Sequence, residues 1–158
     1  MRDKLSAPLV YLETSMIIAY FQKEQGRWQD CKACVDDLRD GLCRGVTSAL
    51  SIAEVAKPPN TDARKLPDSL YNEMVNFFKY DWLHIVMVDR RVSSIARDLV
   101  RQFNLKGADA VHLATAIYIK ADYLFTYDKH LLRLAVHFNN QNIRPEIREP
   151  FGQFRLAI

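Results

Sequence analysis

An α/β domain built on a mostly parallel sheet, covered by helices on both sides, is the fold this sequence predicts. Three observations predict it. Short apolar runs that read as buried strands alternate along the chain with longer segments of helical periodicity. No hairpin signal such as Asn-Gly separates two apolar runs, so consecutive strands are not expected to pair antiparallel. The chain is 158 residues long, which fits one domain of ordinary size with a core of its own. Residues 1–158 are therefore read as a single domain, with 139–158 as a C-terminal tail of no assigned role.

In chain order, residues 8–14 (PLVYLET) read as a buried first strand and 15–21 (SMIIAYF) as a helix that Thr14 or Ser15 can cap. Residues 28–42 form a second helix, 45–48 a short strand, and Glu54 begins a third helix in SIAEVAK. The stretch 57–68 (KPPNTDARKLPD) is rich in proline and polar residues and reads as a loop or flap carrying Lys57, Arg64 and Lys65. A helix capped by Asp68 or Ser69 follows through Phe78, with Leu70, Met74, Phe77 and Phe78 on one face. Residues 83–88 read as a strand and 90–103 as a helix, broken at 104–107. From Asp109, Val111, Ala114, Ala116, Ile117 and Ile119 recur near helical spacing, and 123–126 (YLFT) reads as a buried strand ending before Asp128. One more helix is expected over 129–137.

Composition excludes several classes. Hydrophobic content of 49% with 26% charged residues is that of a globular protein, and no segment approaches the roughly 20 apolar residues of a membrane span. The first residues lack the apolar core of a signal peptide, so the cytoplasm is the expected compartment. Cys31 and Cys34 form an isolated CxxC with no second pair and no HxxxH, and with Cys43 they read as small apolar residues rather than a metal site. There is no G-x-S-x-G elbow, no phosphate-cradling G-x-x-x-x-G-K-[ST] and no G-x-G-x-x-G after the first strand. A net charge of +3 permits a polyanionic substrate without requiring one.

The chemistry is carried by acids. In a parallel sheet ligands bind beyond the carboxyl ends of the strands, and Glu13, Asp128 and the turn before Glu54 all fall at that edge, with Asp109 opening a helix that faces it. Each acid also has a structural reading. Ser51 and Glu54 stand at capping-box spacing, and Asp109 and Asp128 can serve as N-caps. Glu13 is different, because it lies between an apolar strand and an apolar helix with no lysine or arginine nearby in sequence, and a buried carboxylate needs compensation. A divalent cation supplies it, and all-oxygen ligands point to Mg²⁺ or Mn²⁺ and to phosphodiester hydrolysis. Asp122, at the start of its strand, belongs to the opposite edge and reads as structural; His112, one turn after Asp109, is placed to assist a substrate but reads more readily as an ordinary surface or buried histidine.

Four blocks, YLETSMIIAYF, TSALSIAEV, GADAVHLATA and ADYLFTYDKHL, resemble in order the acidic blocks of the PIN-domain family, nearest to the VapC-type toxins. The resemblance implies a three-layer α/β/α fold and a Mg²⁺- or Mn²⁺-dependent ribonuclease. Glu13, Glu54, Asp109 and Asp128 match the acidic positions and Ser15 the small polar residue beside the first acid. Asp109, Asp128 and Glu13 are expected to hold one or two metal ions with Glu54 completing the site, while Ser15 and Thr126 orient ligands or waters. The resemblance further implies RNA products with 5′-phosphate and 3′-hydroxyl ends, a homodimer held by helices, and a small antitoxin as partner. The segment 69–80 carries Leu70, Tyr71, Met74, Phe77, Phe78 and Tyr80, more apolar surface than one buried stripe needs, which fits an interface and equally a purely core-facing helix. The sequence departs from the family at Glu13, where aspartate is usual, and the competing class is a PIN-like RNA- or protein-binding module without turnover.

Overall fold

A computed structural model describes residues 7–57 and 65–154. Arg64 and most of the proline-rich stretch expected to be a flap lie outside the described residues. Five parallel strands form the sheet: β1 (Leu9–Leu12), β2 (Arg44–Ser48), β3 (Leu83–Val86), β4 (Tyr123–Phe125) and β5 (Glu146–Arg148), in the spatial order β3-β2-β1-β4-β5. Helices fill each crossover. α1 (Thr14–Phe21) and α2 (Trp28–Arg39) link β1 to β2, and α3 (Ala49–Glu54) and α4 (Asp68–Phe77) follow β2. α5 (Arg90–Phe103) and α6 (Gly107–Tyr118) link β3 to β4, and α7 (Lys129–Arg133) and α8 (Ala135–Asn140) precede β5.

The chain thus begins mid-sheet, winds outward to β3, and returns to the other side of β1 with β4 and β5. That reversal puts a topological switch point between β1 and β4, where a parallel sheet leaves a crevice beyond its carboxyl ends. Glu13 follows β1 and Thr126 follows β4, and the two strands are tied there by Glu13 N–H donating to the Phe125 carbonyl at 3.0 Å.

Strand alternation builds the layers, since successive side chains leave opposite faces. Val10 and Leu12 of β1 pack with Met16, Cys34, Leu38 and Phe77 under α1, α2 and α4. Tyr11, between them, joins Val46, Leu99, Leu113 and Leu124 under α5 and α6. The result is the three-layer α/β/α arrangement expected. The three cysteines are free and buried, and burial pushes the Cys31 and Cys43 thiols up to about 11 and about 12. They fill space in the core, as their isolated spacing predicts.

Several boundaries differ from the sequence reading. Glu54 ends α3 rather than beginning it, because Ser48 caps that helix by accepting the Leu50 N–H at 3.1 Å. The Ser51–Glu54 capping box is absent: Ser51 lies inside α3 and bonds Thr47 at 2.8 Å. α6 starts at Gly107, two residues before Asp109, so Asp109 stands in the first turn and is not the cap. α1 is capped by Glu13 itself, not by Thr14 or Ser15. α4 has Pro67 at its N-cap position and no side-chain cap. The helix expected over 129–137 is two, α7 and α8, joined at Leu134. The tail supplies the edge strand β5, after which Phe151 and Phe154 pack on Tyr123 and Phe125. Asp122 is structural, as read: its carboxylate accepts the Leu9 N–H at 2.8 Å and pairs with Arg144, away from the crevice.

Candidate active site

Glu13 sits at the carboxyl end of β1 and is only 5% exposed. Its Oε2 accepts three donors: the Ser15 N–H at 3.0 Å, the Thr126 hydroxyl at 2.8 Å, and the Ser15 hydroxyl. The N-cap geometry of α1 therefore aims this carboxylate, and the longer glutamate reaches across to the strand end of β4. Its other oxygen is left for the crevice, with His112 Nε2 at 3.9 Å. No lysine or arginine among the described residues pairs with Glu13, so its buried carboxylate has no Lys or Arg partner there.

Ser15 and Thr126 act on both sides of the crevice. Ser15 Oγ accepts the Tyr127 N–H at 2.8 Å, and Thr126 Oγ1 accepts the Asp128 N–H at 2.9 Å. Thr126 is fully buried, so its hydroxyl has little freedom to find other partners. Asp128 is the N-cap of α7, with Oδ1 accepting the His130 and Leu131 N–H groups at 2.9 and 3.1 Å. The capping reading of Asp128 holds for one oxygen and leaves the second uncommitted among the described residues.

Asp109 enters from the first turn of α6. Burial raises its carboxyl above the usual range, and the charges of Asp128 and then Glu13 raise it further against a smaller opposing pull from His112 and His130. Three acids from distant parts of the chain thus act on one another, and the two histidines offset only part of that repulsion.

Glu54 behaves differently. Its Oε1 lies 2.6 Å from His112 Nε2 and 2.8 Å from the Thr14 hydroxyl. The hydrogen bond from His112 is the main reason its carboxyl falls below the usual range, with burial opposing and Thr14 and Lys57 assisting. His112 is 1% exposed and its Nδ1 meets the Tyr11 hydroxyl at 2.6 Å. Thr14 also contacts Ser51 at 3.3 Å, extending a polar chain through Thr47 to the end of β1.

A family model for the PIN domain matches residues 10–136, four-fifths of the chain and all four acids. The chain belongs to the PIN-domain family. Members of this family are generally nucleases, and the matched range runs from β1 through α7 and into α8. Among solved structures, a toxin-antitoxin complex from Klebsiella pneumoniae shares the fold at 18% identity and a TM-score of 0.57, covering 91% of this chain and 99% of that one. A search of curated proteins finds no match.

As a PIN domain, the site has donors of the right kind for a hard divalent cation: carboxylate and hydroxyl oxygens around an excess of negative charge. Among the described residues no three His, Cys, Asp or Glu side chains stand as a ready metal-binding group. Mg²⁺ keeps several waters and is commonly held by one or two carboxylates, so the donor set fits in chemistry and charge without forming a closed protein cage. The charges of Asp128 and Glu13 both act on Asp109, and His112 Nε2 stands between Glu13 Oε1 at 3.9 Å and Glu54 Oε1 at 2.6 Å.

Sequence reasoning passed over Tyr11, took Thr14 only as a possible helix cap, and set His112 aside as an ordinary histidine. Tyr11 and Thr14 sit inside a run that reads as a strand, and a histidine one turn from an acid is a common pattern. Their signal lies only in burial, which strand and helix periodicity does not report for a polar side chain.

Proposed function

We propose that this PIN domain is a metal-dependent endoribonuclease that hydrolyses RNA phosphodiester bonds, acting as the toxin of a toxin-antitoxin pair. The observation that carries the reading is the buried Glu13, which has no Lys or Arg partner among the described residues and faces an Asp109 whose ionisation is opposed by burial, Asp128 and Glu13. Such a cluster is costly to the fold and useful to a cation.

Asp109, Asp128 and Glu13 would hold Mg²⁺ or Mn²⁺, directly or through water, with Glu54 at the rim. The bound ion supplies the positive charge that eases ionisation of a water and neutralises a non-bridging phosphate oxygen. The protein's own part is positional. Ser15 and Thr126 occupy Oε2 of Glu13 and so fix the direction of Oε1. The cap of α7 fixes Asp128 in the same way through Oδ1. Water oxygen attacks phosphorus in line, the P–O3′ bond breaks, and O3′ leaves with a proton, giving 5′-phosphate and 3′-hydroxyl ends.

The toxin assignment is supported by the likeness to the toxin-antitoxin complex, which is a likeness of fold. A homodimer is supported by α4 and the residues after it, where Met74 and Phe77 are buried while Tyr71 and Tyr80 are 49% and 43% exposed. A monomeric mass in solution at micromolar concentration would remove the dimer and leave the nuclease reading standing. For the nuclease, Asp128→Asn and Asp109→Asn should abolish Mn²⁺-dependent cleavage of total RNA with the fold retained. Wild-type cleavage in either variant would refute the site. The second reading, a binding module without turnover, rests on Glu13 in place of aspartate and on the turn of Glu54 toward His112. Metal binding and RNA binding without cleavage would select it.

A further inference from the structure

The side chain that decides where Glu54 stands is His112. Glu54 is the last residue of a six-residue helix and is half-buried, so its backbone alone does not direct the carboxylate inward. The direction comes from a hydrogen-bond chain whose polarity can be worked out from its buried end. The Tyr11 phenol is fully buried and, as a phenol at neutral pH, has one proton to donate. The neighbouring Thr47 and Thr115 hydroxyls spend their protons on the Leu12 and Val111 carbonyls at 2.6 Å each, and among the described residues the phenol's hydrogen-bond partner is His112. The phenol proton is therefore directed to the acceptor 2.6 Å away, His112 Nδ1. An imidazole that accepts at Nδ1 carries its proton on Nε2, and Nε2 lies 2.6 Å from Glu54 Oε1. The same N–H stands 3.9 Å from Glu13 Oε1, between the two carboxylates.

We infer that His112 is a positioning residue, locked by Tyr11 in the tautomer that donates from Nε2, and that this single N–H holds Glu54 at the rim of the acidic crevice. The inference rests on the nuclease reading only for its effect on cleavage; the geometry stands apart from it. Thr14, donating to the same oxygen at 2.8 Å, helps but cannot replace it, because its hydroxyl also faces Ser51 and His112.

Two substitutions separate the ends of the imidazole. The carbonyl oxygen of His112→Asn can take the place of Nδ1 and keep Tyr11 satisfied while losing the donor to Glu54. The longer His112→Gln places an amide N–H near the position of Nε2 and keeps that donor. Nitrogen NMR of the wild type should show His112 protonated at Nε2 and bare at Nδ1. The carboxyl-carbon resonance of Glu54 should move in His112→Asn and stay near its wild-type position in His112→Gln. With Mn²⁺ and RNA, His112→Asn should lose on the order of 10²-fold in cleavage, the scale set by a misplacement of about 1 Å, and His112→Gln should recover most of it. Introducing His112→Asn into a Glu54→Gln background should cost little more.

An unmoved Glu54 resonance in His112→Asn would overturn the inference, as would the opposite tautomer. So would two variants whose cleavage falls together in step with their melting temperatures, since that is the mark of a merely structural histidine. If the wild type cleaves nothing with any metal, the nuclease reading fails, and the tautomer and the Glu54 resonance still decide the positioning claim.

Discussion

Shortening Glu13 to aspartate tests the geometry at the position where this chain departs from its family. The substitution withdraws the carboxylate by on the order of 1 Å along a fixed backbone. Glu13 Oε2 now accepts from Thr126 at 2.8 Å and from the Ser15 N–H at 3.0 Å. Aspartate is a good N-cap, so the bond to the Ser15 N–H survives. The bond to Thr126 does not, since its distance would approach about 3.8 Å and pass out of hydrogen-bond range. Thr126 is fully buried, and an orphaned buried hydroxyl costs about 1–3 kcal/mol, reduced here because Ser15 Oγ stands 3.3 Å away as a poor substitute. A net loss of roughly 1–2 kcal/mol in a chain of this size lowers the melting temperature by about 2–8 °C. Thermal unfolding of metal-free protein, read by circular dichroism, measures it, and RNA cleavage with Mn²⁺ is followed in parallel. Both should fall in Glu13→Asp. An unchanged melting temperature together with faster cleavage would show that glutamate is a misfit here and that the Thr126 bond does not aim it.

Three further outcomes follow from the same geometry. Asp109 titrates above the usual carboxylate range in the folded state, so its contribution to stability is present at low pH and lost as pH rises through its folded value. Asp109→Asn should therefore melt higher than the wild type at pH 7 without metal, and the difference should shrink toward pH 4; a lower melting temperature at pH 7 would contradict the repulsion. Millimolar Mg²⁺ or Mn²⁺ should stabilise the wild type by mass action, by about 2.7 kcal/mol at a hundredfold excess over Kd, and so raise its melting temperature, and should not do so in Asp128→Asn. A Cβ at Gly152 would lie 2.3 Å from that of Ala33, so Gly152→Ala should push the C-terminal segment off α2 and cost about 1–3 kcal/mol of stability by overpacking. Wild-type stability would mean that the segment does not rest there.

Much of the fold was legible because its signal is local. The buried strands of LVYL and YLF, the helix of 90–103 and the break that follows it at 104 are each written in a few adjacent residues. The acids at strand ends could be placed because a parallel sheet dictates which edge binds. β5 was not legible. Its three residues, EIR, carry one buried side chain, Ile147, and their pairing with β4 is specified by a neighbour more than twenty positions away. The orientation of Glu54 was hidden for a similar reason, since its partner is 58 positions distant in His112 and no periodicity links them. The cap of α3 fell to Ser48 because β2 runs straight into the helix without a loop, which the S-x-x-E spacing at Ser51 concealed.

The acidic crevice between β1 and β4 is the centre of the account, and the chemistry of its products tests it most directly. A defined single-stranded RNA is incubated with the wild type and with Asp128→Asn, with Mn²⁺ or with a chelator, and the new ends are mapped. Metal-dependent cleavage leaving 5′-phosphate and 3′-hydroxyl ends, absent in Asp128→Asn and in chelator, is the outcome this arrangement of carboxylates predicts. Cleavage that persists in chelator, or that leaves cyclic phosphate ends, would place the chemistry elsewhere in the molecule.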